Sequence, residues 1–116
     1  MDQATGGYRY CLRVVQELNA QAGTVTVHEL AGRFPDCDAV ARDAARAMMV
    51  GLEADATTVI DGLALPAFYD LLRAGDARVI ALIHHPLGRE TGLAPDVARN
   101  WLAVEVEALR NVAGVI

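Results

Sequence analysis

The sequence predicts an α/β fold: a parallel sheet with helices on both faces. Three observations carry that prediction. Stretches with the three-and-four apolar spacing of amphipathic helices alternate along the chain with short β-branched runs. One of those runs, Val79 to Ile83, is apolar at every position, the pattern of a strand covered on both faces inside a parallel sheet. The length of 116 residues, 53% hydrophobic and 22% charged, suits one domain by the rule of roughly 100 to 200 residues per domain.

The elements follow in order. Tyr8, Cys11, Leu12, Val15 and Leu18 form a helical stripe over Tyr8 to Gln21, and Gly23 is placed to stop it. Thr24 to Leu30 reads as a strand, with Val25 and Val27 alternating against threonines. Asp36 or Asp38 can cap a second helix through about Val50, with Ala41, Ala44, Ala45, Met48 and Leu52 as its stripe. Thr57 to Asp61 is a second strand, broken by Gly62, and a helix is expected around Pro66 to Ala74. After the apolar strand Arg78 to Ile83, a turn-rich stretch from Pro86 to Pro95 leads into a long helix. Pro95 opens that helix, Asp96 lies in its first turn, and Ala98, Trp101, Leu102, Glu105, Leu109 and Val112 lie roughly on one side. Ala113 to Ile116 begins another strand. Trp101 and the methionines read as core packing.

Helices alternating with strands at this rhythm imply βαβ units with right-handed crossovers, and hence a three-layer, Rossmann-like sheet. In such a sheet a glycine loop joins a central first strand to the first helix, yet Thr5-Gly6-Gly7 stands at the very start. The expectation is therefore one domain lacking its first central strand and truncated in its last, a fragment whose strand edges favour swapping or homo-oligomers.

Composition excludes several functions. All ten basic residues are Arg, against 15 Asp plus Glu, for a net charge of −5, so nucleic acid is not an expected partner. The apolar runs fall far short of the roughly 20 residues that cross hydrocarbon. No export signal is evident, which leaves the cytoplasm as the expected compartment. The absence of Ser and Lys removes serine nucleophiles, Schiff-base lysines and the P-loop lysine. Cys11 and Cys37 lack CxxC spacing and read as small buried apolar groups.

The candidate site residues gather at loops. Gly6 and Gly7 stand at a helix amino end, where free N–H groups favour an anion, although no GxGxxG follows. His84 and His85 follow the apolar strand, at the carboxyl end where open α/β sheets bind ligands. There an imidazole can hydrogen-bond a sugar hydroxyl or stabilise charge at a reacting centre. A metal is not expected, since His28 is the only other histidine and nothing in the sequence brings it near. Arg89 can pair with phosphate or with Glu90, while Asp61, ending another strand on the same edge, and Glu90 can accept hydroxyl hydrogen bonds.

The order TGGYRYCLRVVQEL, TVTVHELAGRFP, TTVIDGLAL and VIALIHHPLGRETGL resembles the amino-terminal half of family 4 glycosyltransferases of the GT-B type, over nearly the whole chain. The DGLAL turn and the IHHP-LG-ETGL segment are its most specific parts. The resemblance implies the acceptor-side domain of a retaining transferase that moves a sugar from a nucleotide-sugar donor to an acceptor, without a further cofactor. It implies that Gly6 and Gly7 lie near the donor diphosphate and acceptor. It makes His84 the catalytic histidine near the transferred sugar and puts His85 where other members often have Asp. The family's nucleotide pocket and paired-glutamate motif belong to a second domain, so this piece is expected to be inactive alone. Two readings compete with it: a non-catalytic association module working through exposed strand edges, and a small hydrolase using Asp61 and Glu90.

Overall fold

The computed structural model describes residues 6–23, 25–53, 55–74 and 76–116, with the side chains of 6–9, 22, 73–74 and 76–78 outside the description. It is an α/β structure built on one open sheet of three parallel strands, β1 (Thr58–Asp61), β2 (Asp76–Leu82) and β3 (Val112–Val115), in the order β1-β2-β3. Three α-helices accompany it: α1 (Gly6–Ala22), α2 (Ala39–Gly51) and α3 (Pro95–Leu109).

The apolar run occupies the sheet's centre, as its composition predicts. Val79 and Ala81 are fully buried on β2, with Leu82 close behind. Backbone pairing continues past the strand ends: Gly62 N–H donates to the Leu82 carbonyl at 2.8 Å and Ile83 N–H to the Ile116 carbonyl at 3.0 Å. Around β2 the core gathers Ile60, Leu65, Phe68 and Leu72, with Ala41 and Ala45 from α2. The helix α2 starts where Asp38 accepts a hydrogen bond from Ala41 N–H at 2.9 Å, and Arg33 N–H donates to the same oxygen at 3.2 Å. These two bonds to the ionised form hold the Asp38 carboxyl below the usual range. Gly32, at φ +111°, lets the preceding loop lie against the first turn of α2; a Cβ there would collide with Ala41 backbone.

Two expected elements take a different form. Thr24 lies outside the described residues, and Val25 to Leu30 run without regular structure instead of forming a strand. Their β-branched composition suits a ladder, but among the described residues no strand pairs with them, and β-propensity expresses itself only against neighbours. The Val25 N–H is satisfied locally by Asn19 Oδ1 at 2.6 Å, and Val27 is 62% exposed. The helix expected around Pro66 to Ala74 is two 3-10 turns, Leu65–Phe68 and Leu71–Ala74. With about three residues per turn, residues i and i+3 stack on one side, which suits this segment because Leu65 and Phe68 are both buried in the core.

The helix α3 packs on a short 3-10 helix, Leu87–Arg89, and on β3. Gly88 makes that contact: a Cβ would run into Leu102 Cγ and the Ala98 carbonyl oxygen. Glu105 and Ala108 are the buried residues of α3, while Trp101 is half-buried. No helix is long and apolar enough to cross a membrane among the described residues.

Candidate functional site

The parallel register sets the site. Asp61, the last residue of β1, pairs with Leu82, the last of β2, so both strands end at the same edge. Two residues beyond β2 comes His84, and its Nε2 lies 3.2 Å from Asp61 Oδ2. The other carboxylate oxygen, Oδ1, accepts the Leu63 N–H at 2.8 Å, a local turn that fixes the carboxylate and leaves Oδ2 pointed at the imidazole.

The third member comes from α1. Cys11 Sγ lies 3.5 Å from His84 Nε2 and 3.8 Å from Asp61 Oδ2. Tyr10, its neighbour on the helix, presents its ring edge-on to the His84 ring, with centroids 5.8 Å apart and planes at 85°. The cluster is open to solvent: the side chains of His84 and Asp61 are 30% and 38% exposed. Burial, then the Asp61 charge and hydrogen bond, push the Cys11 thiol up from its ordinary range, so the group stays protonated at neutral pH.

This arrangement is not a nucleophile–base–carboxylate relay. A relay needs the thiol on one ring nitrogen and the carboxylate on the other, and a lowered thiol pKa. Here both partners approach Nε2, and the thiol shifts the wrong way. The three ligand atoms converge on a common point, all within 4.8 Å of one another.

The structure brings Asp61 and His84 together and leaves the other anticipated residues apart. Gly6 and Gly7 are the first two residues of α1. They precede Cys11 by a little over a helical turn, so their backbone lies roughly 6 to 8 Å along the axis from that of Cys11. His85 is exposed, and its charge is felt by Glu105 of α3. Arg89 and Glu90 are exposed too, at the end of the 3-10 helix, and among the described residues neither makes a contact within the cluster.

Cys11 is the residue that sequence reasoning misplaced. It is half-buried and polar in its contacts, not a buried apolar group, whereas Cys37 fits that description at 8% exposure. The available signal was its position, one turn into the helix that opens with paired glycines. A shallow groove lined by Pro35, Arg42, Tyr69 and Trp101 lies elsewhere; the Tyr69 hydroxyl is buried with no hydrogen-bond partner among the described residues. Comparison with family models, with curated proteins and with solved structures finds no match.

Proposed function

We propose that this chain is the acceptor-side, Rossmann-like domain of a retaining GT-B glycosyltransferase, with a three-layer arrangement of helices over both faces of the sheet. The observation that carries this reading is the Asp61–His84 pair at the shared carboxyl edge of β1 and β2, 3.2 Å apart and beside the helix that opens with Gly6 and Gly7. Ligands of open α/β sheets bind at that edge.

In this reading Asp61 accepts the Nε2 proton of His84, which fixes the tautomer and leaves Nδ1 free to accept from a hydroxyl of the transferred sugar. The backbone N–H groups at Gly6 and Gly7 face the donor diphosphate, whose negative charge a helix amino end favours. His85, Arg89 and Glu90, exposed around the same edge, supply contacts to the acceptor or the phosphates. The nucleotide-sugar donor is held chiefly by a second domain, so transfer requires the whole enzyme. The open outer edges of β1 and β3, with Val59 and Val115 about half exposed, favour the association module as a second reading.

The test uses the full product of the longest reading frame that contains this chain, assayed against a panel of nucleotide sugars. Replacing His84 with alanine should lower kcat/KM on the order of 100-fold with the fold intact by circular dichroism. Turnover of no donor in the panel by the full product, or turnover by the variant within about twofold of the parent, would end the transferase reading.

A further inference from the structure

We propose that Cys11 Sγ, Asp61 Oδ2 and His84 Nε2 form a binding site for a thiophilic divalent cation of the zinc class, with the fourth coordination position open to solvent. The site is independent of the transferase reading and competes with it for the same ring nitrogen. A His84 that ligates a cation through Nε2 cannot at the same time donate an Nε2 proton to Asp61.

The argument is geometric. Zinc binds thiolate at about 2.3 Å, imidazole at about 2.05 Å and carboxylate at about 2.0 Å, and tetrahedral angles then put sulfur and nitrogen about 3.6 Å apart, sulfur and oxygen about 3.5 Å, and nitrogen and oxygen about 3.3 Å. The three separations here are 3.5, 3.8 and 3.2 Å. Each lies within a few tenths of an ångström of the tetrahedral edge it would form. The three atoms, from three separate elements, all lie within 4.8 Å of one another, so one ion could touch all three with only small side-chain adjustments.

The donor set also selects the cation. One thiolate, one imidazole and one carboxylate oxygen suit zinc and its neighbours, whereas calcium and magnesium require mostly oxygen ligands. Thiolate and carboxylate together balance a charge of two, and the thiol proton leaves to solvent as the cation enters. The carboxylate is already oriented from behind, because the Leu63 N–H holds Oδ1 and turns Oδ2 toward the other ligands. Since the ligands come from α1, β1 and the loop after β2, a bound cation would also tie α1 to the sheet edge.

Cobalt(II) is the probe, added to the chain under reducing conditions and followed by absorption. One equivalent should give a thiolate-to-cobalt charge-transfer band with the intense visible bands of a four-coordinate ion, and zinc should bleach them while excess magnesium leaves them unchanged. Cys11→Ser should abolish the charge-transfer band, and Asp61→Asn and His84→Ala should each weaken binding by more than about 100-fold, beyond the 10- to 100-fold loss typical of outer-shell partners. Cys37→Ser should leave the spectrum intact. No charge-transfer band in the parent, a band that survives Cys11→Ser, or one that disappears with Cys37→Ser would overturn the proposal. Because none of these readouts is turnover, failure here leaves the transferase test standing, and the reverse holds.

Discussion

The helices α1 and α3 both carry an apolar stripe, yet among the described residues only α3 places residues in the fully buried class. On α3, Glu105 and Ala108 are buried, Leu102 sits against Gly88, and the helix lies along the Leu87–Arg89 turn and β3. On α1, Tyr10, Leu12 and Leu18 remain 42–49% exposed, and the long-range hydrogen bonds described for its side chains are those of Cys11. A periodic stripe thus declares which face wants covering, but not what covers it. One feature of the α3 contact has no counterpart at α1 among the described residues: at Gly88 the backbone of a neighbouring element comes within reach of Leu102 and the Ala98 carbonyl.

The sharpest way to break this comparison is to crowd that contact. Gly88→Ala places a methyl group on Leu102 Cγ and the Ala98 carbonyl, a backbone atom that cannot swing aside. We expect a loss of about 3 kcal/mol in denaturant unfolding, the upper part of the range for overpacking. A loss near zero would mean that α3 is no better anchored than α1.

A smaller effect probes the polar side of the same interface. Glu105 is 4% exposed, and its Oε2 accepts the Leu87 N–H at 3.4 Å. Burial raises its carboxyl above the ordinary range, while the Leu87 bond and the His85 charge oppose that rise; Tyr69 also faces it. Between the unfolded and folded titration points the folded chain holds the extra proton, so stability falls as pH rises through that window. Glu105→Gln keeps the acceptor for Leu87 and removes the charge. It should melt higher than the parent at neutral pH, with the gap closing as the solution is acidified below the ordinary carboxyl range. A gap that widens on acidification would show the carboxylate to be stabilising in place.

Which features were legible in the sequence follows the same logic. The central strand was plain because Val79 to Ile83 leave no polar position for solvent, and α2 because Asp38 caps a clean stripe. Val25 to Leu30 misled, since a β-branched run specifies a strand only when a neighbour supplies the ladder. Asp61 and His84 fall at one edge by parallel strand order alone, since each ends or follows a strand of the same sheet. Cys11 could not, because its meaning lies in a contact 73 residues away from its own position, and spacing rules see only ligands close in sequence. The CxxC rule likewise passes over a thiol whose metal-ligand partners, an Asp and a His, lie far away in the sequence.

The least disruptive test addresses α1 directly. Leu18 is 42% exposed, and glutamine has nearly the helix propensity of leucine, so Leu18→Gln changes burial with little change in backbone preference. If the outer face of α1 is as uncovered as its exposure implies, the substitution should shift unfolding by no more than about 0.5 kcal/mol, the usual span for surface positions. A loss of 2 kcal/mol or more, typical of roughly a buried leucine truncated, would mean that something covers this face in solution, and α1 would then be held as firmly as α3. The two helices would then differ in what covers them and not in how well.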